Sequence, residues 1–440
     1  MGRWWCLLLA TAALVSCNSN PQLGRPVLRV SNWGGAGDDS DFDRQVQSLY
    51  RQFGEEHGCE VKIEGIPDGY VQKMVLNHIA GTMPDVMVLD ASSAAIFINN
   101  GVLRDLSPLI AKDPEFKFSD YYPNVLDIGR RNGKTYAIPG DFTPMVMYYN
   151  KDIFDRAGIP YPTADWTFEK FFETAKKLTV REKSGKIQQY GFSFSTWMPG
   201  WIMWLWNNGG DVLSPDGKRA SGVLDSPQNV ETVQFLTKMA ADTVQVNGQT
   251  VANPDQVSPS LSQAAASGVD LFANGQAAMV VNGHWALIGY KNAPKDSHGK
   301  PKIDWRRLGV VALPHNTPQS HTVMYEAGFA IPAKAKNLDL AWEYVKFWSS
   351  ERLQKVYNAS GIAVCARKDV SEERAVEPIE KEFIDIIPMA RKPYGSWIEG
   401  YEFVERAGEN ALKSILNNGR DVKGALSYAA ERIDKEFAKR

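Results

Sequence analysis

Asp85-Val86-Met87-Val88-Leu89 is the stretch of this chain that decides its fold. This nearly continuous apolar run is typical of a strand in a parallel sheet that helices cover on both faces. Strand patterns also occur at residues 28–31 and 60–66, and helical patterns at 42–56 and 71–81 separate the strands. Strands and helices that alternate at this spacing predict βαβ units and a doubly wound α/β domain.

The same alternation returns over the rest of the chain. Asn150 is a suitable N-cap for a short helix that ends at Gly158. Further strands are expected at residues 136–139, 146–149, 277–281, 308–311 and 328–331, and further helices at 168–178, at 338–349 and from 396 to the C-terminus. The sequence therefore predicts two α/β domains with helices at the C-terminal end.

The composition excludes some classes of partner. The chain has 440 residues, with 49 Lys and Arg against 51 Asp and Glu, which gives a formal net charge of −2. Since no basic excess is present, we expect no nucleic-acid partner. The length suffices for about two or three domains.

The N-terminus has the features of a targeting segment. Arg3 precedes an apolar run over residues 4–15, which is shorter than the ~20 residues that a membrane-spanning helix needs. Leu14-Val15-Ser16-Cys17 resembles the lipobox of bacterial lipoproteins, in which the cysteine receives lipid and becomes the new N-terminus. We expect a signal peptide at 1–16, lipidation at Cys17 and a tether over 17–26, with the membrane as a partner. The alternative is a buried cysteine at the end of a core helix.

Two further cysteines remain in the predicted mature chain. Cys59 and Cys365 have neither the CxxC nor the Cys/His spacing of a zinc site, and the six His residues form no cluster. We expect two buried thiols and no metal, although pairing in an oxidising compartment stays open.

The sequence lacks the common motifs of enzymes and cofactor sites. There is no P-loop, dinucleotide fingerprint, GxSxG or HExxH pattern, so no catalytic residue and no cofactor are predicted. The glycine-rich loop after Trp33 either makes a tight turn or lets a ligand approach that ring. Carboxylates near aromatic residues leave a glycosidase pair open, but nothing selects two of them.

Tryptophan is abundant, with 13 residues in the chain. If residues 197–206 are helical, Trp197, Trp201 and Trp204 lie on one face, and the alternative is a core stripe. Asn207 and Asp211 follow directly. Indole faces stack on the C–H faces of sugars while amides and carboxylates bond hydroxyls, so this segment predicts a carbohydrate site.

Several motifs, in order, resemble the bacterial extracellular solute-binding proteins of the maltose-binding type, which serve ATP-driven sugar importers. Two of them are Tyr136-Ala-Ile-Pro-Gly-Asp141 and Tyr148-Tyr-Asn-Lys-Asp152. The others lie at residues 81–86, 272–279, 283–285 and 341–347. The resemblance implies two α/β lobes of the type II periplasmic-binding-protein fold. It also implies a hinge that the chain crosses three times, a carbohydrate ligand and an ABC transporter permease as partner.

Aligning the motifs gives expected lobe boundaries. The N-terminal lobe would comprise residues 27–143 and 321–352, and the C-terminal lobe 144–320 and 353–440. The crossings would lie near residues 143–144, 315–320 and 352–357. We expect a monomer located outside the cytoplasmic membrane.

The resemblance also implies ligand-binding residues. Asp141 matches a carboxylate that bonds sugar hydroxyls, and Trp285 matches an aromatic residue that stacks on a sugar ring. Asp90 follows the strand where ligand contacts cluster, although it could instead cap the next helix. The remaining positions that match ligand groups are Trp33, Tyr325, Glu326 and Trp397. Asp85 is expected to be structural.

Other functions stay open at this point. A polyamine suits aromatic faces combined with carboxylates. Ferric iron would use adjacent tyrosines, such as Tyr121-Tyr122 or Tyr148-Tyr149. A surface glycosidase is a third alternative, and a signalling or adhesion lipoprotein is a fourth.

Overall fold

The structure is a computed structural model that describes residues 24–33, 41–361 and 363–439, without the side chains of 41–43. The signal peptide and Cys17 lie outside the described residues. The strands are β1 (Val27–Asn32), β2 (Glu60–Gly65), β3 (Val86–Asp90), β4 (Arg130–Arg131), β5 (Lys134–Thr135), β6 (Ala137–Pro144), β7 (Val146–Asn150), β8 (Val180–Arg181), β9 (Ile187–Gln189), β10 (Thr243–Val246), β11 (Gln249–Ala252), β12 (Met279–Asn282), β13 (Leu308–Val311), β14 (Thr322–Ala330), β15 (Val364–Cys365) and β16 (Ala390–Arg391).

Helices connect and cover these strands. They are α1 (Asp41–Glu56), α2 (Tyr70–Ala80), α3 (Ala94–Asn99), α4 (Ser107–Ile110), α5 (Pro123–Leu126), α6 (Lys151–Ala157), α7 (Phe168–Leu178), α8 (Ile202–Trp206), α9 (Pro227–Ala240), α10 (Leu261–Ser267), α11 (Ala286–Lys291), α12 (Leu338–Trp348), α13 (Glu351–Ser360), α14 (Lys368–Glu373), α15 (Pro378–Ile386), α16 (Tyr401–Asn418) and α17 (Val422–Phe437). Among the described residues, every helix is too short or too polar to cross a membrane.

The first lobe is built on a mixed sheet with the order β15-β6-β14-β3-β1-β2, and β16 pairs with the start of β14. β1 pairs in parallel with β2 and β3, as the alternating pattern predicts. β14 returns from the far end of the chain and runs antiparallel between β3 and β6. The apolar stretch of β3 is buried because it lies inside this sheet.

The second lobe contains a smaller antiparallel sheet, with the order β12-β7-β13. α15 packs on β13, where the Val310 amide donates a 2.8 Å hydrogen bond to Glu382. α16 and α17 pack on each other and on α9. A core rich in aromatic residues fills the space between these elements.

The chain passes between the two sheets at three places. The first is between β6 and β7, around Met145, and the second is between β13 and β14. The third follows β15, which pairs with β6 in the first sheet, and precedes α15, which lies on the second.

The lobe boundaries expected from the sequence, including a third crossing at 352–357, stay predictions. α13 packs on α1, and Arg352 lies 3.8 Å from the Glu56 carboxylate. These contacts place α13 beside α1, which packs on β2 of the first sheet.

Several local predictions agree with the structure. Asn150 caps α6 by accepting hydrogen bonds from the Asp152 and Ile153 amides, and Gly158 ends the helix at a φ of 64°. The apolar face predicted for α2 is only partly correct. Met74 is buried, but Ile79 is 76% exposed at the helix end.

Cys59 and Cys365 are both buried free thiols. Burial raises the pKa of the Cys365 thiol to about 12, so this group stays protonated and unreactive at neutral pH. The prediction of two separate buried thiols is confirmed.

Candidate functional site

A cavity of about 290 Å³ lies where the two lobes meet. First-lobe strands supply its floor: β14 lies between β3 and β6, and Ala327 pairs with both Asp90 and Asp141. Paired residues of neighbouring strands project from the same face, so the register brings these two carboxylates together. The lining residues are Trp33, Asp90, Ser92, Asp141, Thr143, Trp197, Pro199, Trp285, Tyr325, Glu326, Ala327 and Glu405.

Three aromatic rings form one wall. The ring centroids of Trp197, Trp285 and Tyr325 are 6.4–6.5 Å apart in each pairing. Trp197 is 46% exposed and Trp285 is 37% exposed, although both are large apolar side chains. Trp33 lies at the end of β1, with its ring edge-on to Tyr70 at 5.9 Å. Exposed indole rings beside a cavity provide flat faces for a ligand.

Asp141 is held by two hydrogen bonds. The Tyr357 hydroxyl donates to its Oδ2 at 2.6 Å, and a backbone bond from Ala327 also stabilises the ionised form. Burial outweighs these bonds and raises the pKa of Asp141 to about 6. Asp141 therefore changes charge in the mildly acidic range.

Asp90 both lines the cavity and forms a local turn. Its carboxylate accepts hydrogen bonds from the Ser92 amide and hydroxyl, just before α3 begins. Burial nevertheless raises the pKa of Asp90 above its ordinary value. Asp90 does not cap α3, because the N-cap of that helix is Ser93, and its role as a ligand contact stays a prediction.

Glu326 is 4% exposed, and neither of its carboxylate oxygens has a hydrogen-bond partner among the residues that the structure describes. Burial raises its pKa well above the ordinary value, and the nearby charges of Asp141 and Asp90 raise it further. A Cβ at position 328 would collide with Glu326 Oε1, so Gly328 leaves room for this carboxyl group.

Glu405 is a fourth carboxyl group that the sequence interpretation missed. It projects from the first turns of α16, and burial together with Asp90 raises its pKa to about 8. The available signal was its position beside the buried stripe of α16, which includes Tyr401, Val404 and Gly408. A carboxylate next to such a stripe indicates a special environment.

The structure does not bring two predicted residues of the tryptophan-rich segment to the cavity. Trp201 is 0% exposed, donates to the Thr196 carbonyl at 3.0 Å and packs on Gly408 of α16. Asn207 is also buried, where it bonds the backbone of His321 at the second crossing. The helix begins only after Trp201, so of the three tryptophans expected on one face Trp197 alone lines the cavity.

Asp211 and Trp397 also lie outside the cavity. Asp211 accepts hydrogen bonds from the Trp206 indole at 2.9 Å and from the Val212 amide at 2.7 Å. Trp397 packs on Tyr394 at 5.6 Å between ring centroids. Both side chains make contacts within the second lobe, and their role as ligand contacts stays a prediction.

Four other lining residues were not predicted, and one of them is Ala327, which pairs with Asp90 and Asp141. Ser92 follows β3 by two positions, Thr143 ends the first-lobe part of β6, and Pro199 lies in the tryptophan-rich segment. Thr143 Oγ1 accepts a 2.6 Å hydrogen bond from the His284 amide, which joins the two lobes beside Trp285. Strand register and contacts between the lobes bring these residues to the cavity.

The lining suits an uncharged or cationic ligand. None of the described lining residues is Lys, Arg or His. In the part of the chain that the structure describes, no cluster of His, Cys, Asp or Glu could hold a metal ion. The tyrosine pairs considered for iron, Tyr121-Tyr122 and Tyr148-Tyr149, are buried in the cores and do not line the cavity.

Comparison with known proteins agrees with the fold. Residues 48–381 match the family model described as bacterial extracellular solute-binding protein. A relative in Brucella abortus (strain 2308) is 23% identical over 442 residues, which covers 98% of each chain. The galactooligosaccharide-binding protein of Bacillus subtilis (strain 168) is 21% identical and covers 90% of this chain and 87% of its own.

A solved structure gives the same overall fold. The ABC substrate-binding protein of Listeria monocytogenes, in complex with cycloalternan, superposes with a TM-score of 0.77 at 23% identity. The match covers 94% of this chain and 99% of that one.

Proposed function

The chain belongs to the bacterial extracellular solute-binding proteins, and on that premise we propose that it is the carbohydrate-binding component of an ABC importer. It would capture a sugar or oligosaccharide between its lobes and deliver it to the membrane permease as a monomer. The relatives described as binding galactooligosaccharides or cycloalternan support a carbohydrate as the solute.

One observation carries this proposal. The exposed indole rings of Trp197 and Trp285, together with the half-buried ring of Tyr325, lie beside the carboxyl groups of Asp90 and Asp141 in one cavity. A pyranose presents apolar C–H faces and a rim of hydroxyl groups, so it suits stacking on one side and hydrogen bonding on the other.

The position of the cavity supports a role in transport. The first lobe supplies Trp33 and the carboxyl groups of β3 and β6, and the second supplies Trp197 and Trp285. A ligand that contacts both lobes favours the closed state through its differential affinity, and the permease can recognise that state.

A titration tests the proposal. Soluble protein that begins at Asn18 is titrated by calorimetry with a panel of mono- and oligosaccharides. We expect saturable binding of at least one sugar, and heat changes absent across the whole panel would contradict the proposal.

Two variants test the predicted contacts. Trp285→Ala and Asp141→Ala each remove a lining side chain and are expected to weaken binding about tenfold or more. Trp305→Ala and Asp339→Ala are matched controls, because these side chains lie outside the cavity. Equal affinities for the cavity and control variants would exclude these contacts.

We also propose that Cys17 is lipidated and that residues 17–26 tether the protein to a membrane, either in the periplasm or at the outer face of the cytoplasmic membrane. A tether raises the effective concentration of the binder near its permease. Labelled fatty acid should be incorporated into the full chain but not into Cys17→Ser. Labelling that persists in the variant would contradict the assignment.

We propose no catalytic activity. The enzyme alternative, a surface glycosidase, predicts that the purified protein releases reducing sugar from a glycan. We expect no release above that of the Asp141→Ala protein, and a rate that depends on Asp141 would favour the enzyme.

A further inference from the structure

We propose that the ligand carries a protonated amine, so that the solute is an amino sugar or an oligosaccharide that contains one. This inference rests on the proposed carbohydrate-binding function and narrows its substrate class. It follows from the charges, the unpartnered carboxyl group and the aromatic wall of the cavity.

The chargeable side chains of the cavity include acidic groups but no basic ones. Asp90, Asp141, Glu326 and Glu405 all line it, and none of the described lining residues is basic. Neutral sugars require hydrogen-bonding groups but no net charge. Four carboxyl groups in one small, partly desolvated cavity oppose each other's ionisation, and a cation relieves that repulsion.

Glu326 supplies an independent observation. Its side chain is 4% exposed and both oxygens lack a partner among the described groups. Buried carboxyl groups are normally bonded, because an unsatisfied one costs free energy. An ammonium group brings three donors and a charge, which is the complement of this cluster.

The aromatic wall favours the same ligand. Trp197, Trp285 and Tyr325 present indole and phenol rings next to the carboxyl groups. The negative faces of such rings attract cations, and indole does so most strongly. A sugar ring that carries an amine can therefore stack on an aromatic ring and pair with a carboxylate at the same time.

The ionisable groups around the cavity predict that binding of the ligand releases protons. Burial raises the pKa of Glu405 to about 8 and that of Asp141 to about 6, so both are partly or largely protonated at pH 6. Asp141 also faces Tyr357, His284, Asp90 and Cys365. Glu405 faces Asp90, Glu402 and Glu409, together with the phenols of Tyr325 and Tyr401. A bound ammonium lowers these carboxyl pKa values and drives protons into solution.

Calorimetry with matched ligands tests the inference. Each sugar of the panel is titrated beside its amino and N-acetylamino counterparts, such as glucose, glucosamine and N-acetylglucosamine. At pH 6 the amines are protonated. We expect the amino form to bind about tenfold more tightly than either neutral form. Titrations in two buffers of different ionisation enthalpy should show net proton release for the amino form alone.

A variant separates charge from shape. Glu405→Gln keeps the size of the side chain and is expected to reduce the preference for the amino form over its neutral counterpart severalfold. Glu431→Gln, on the exposed face of α17, is the control and should leave the preference unchanged.

The outcomes are distinguishable. Neutral sugars that bind as tightly as their amino forms would overturn this inference and leave the proposed function standing. If no sugar of any kind binds, or if only linear polyamines such as spermidine bind, the proposed function fails and this inference fails with it.

Discussion

The Tyr357 hydroxyl donates a 2.6 Å hydrogen bond to Asp141 Oδ2. This bond joins α13 to β6, two elements that are more than 200 residues apart in sequence, since the bonded residues differ by 216 positions. It orients a carboxylate of the cavity from behind and stabilises its charged form. The geometry of the site therefore depends on a helix that does not line it.

Tyr357→Phe tests this dependence. Loss of the bond should raise the pKa of Asp141 further and weaken ligand binding roughly fivefold to tenfold. Affinity is measured by calorimetry across pH 5 to 8. Tyr161→Phe is the control, because this exposed hydroxyl makes a similar 2.8 Å bond to Asp155 away from the cavity. Equal losses in both variants would contradict a specific role for Tyr357.

Truncation of Trp201 should lower stability, whereas truncation of Trp197 should weaken ligand binding. Trp201→Ala removes a fully buried ring and is expected to lower the free energy of unfolding by ~3–5 kcal/mol. Trp197→Ala removes a ring that is 46% exposed and should change stability little but weaken binding. Denaturant unfolding and calorimetry on both proteins measure the two effects. A destabilised Trp197→Ala protein would contradict the assignment of this ring to the cavity.

The ligand-free protein should lose stability as the pH rises from 5 to 8. In the folded state, burial raises the pKa of Glu405 from 4.5 to about 8 and that of Asp141 from 3.8 to about 6. A carboxyl group with a raised pKa binds its proton more tightly in the folded protein than in the unfolded chain. Its contribution to the free energy of unfolding is therefore complete at pH values below the pKa that it has in the unfolded chain. That contribution is lost as the pH passes through the folded pKa. Thermal unfolding scans should therefore show a smaller decrease in Tm for Glu405→Gln than for the unmodified chain.

Gly395→Ala should disturb the contact between the lobes at Ser92, although Gly395 itself does not line the cavity. A Cβ at this position would overlap the Ser92 carbonyl oxygen, so the segment that enters α16 has to shift away from the end of β3. We expect weaker binding and a larger radius of gyration of the liganded protein in solution scattering. Gly289→Ala is the control, because open space surrounds that position on α11. An unchanged affinity would contradict a role of this contact in closure.

The sequence predicted the elements that local patterns specify. The apolar β3 run, the Asn150 cap and α7 at residues 168–178 all depend on short-range periodicity and capping. The pairing of β15 with β6 does not depend on such short-range patterns, because it joins segments that are far apart in the chain.

The candidate site was predicted where strand ends and motifs coincide. Asp90, Asp141, Trp285 and Tyr325 line the cavity because the sheet register and the loop after β12 place them there. Glu405 was missed because only the packing of α16 brings it to the cavity. The ligand assignments themselves remain predictions for the binding experiments.

The two buried thiols have a practical consequence. A soluble form that begins at Asn18 retains only Cys59 and Cys365, and both are shielded from maleimide reagents. A new cysteine at the exposed end of α3, made by Asn100→Cys, would then be the preferred site for a fluorescent dye. Since Asn100 and Glu399 line one groove between the lobes, closure would change the surroundings of the dye. The chain is thereby suited to conversion into an optical sensor for its own solute.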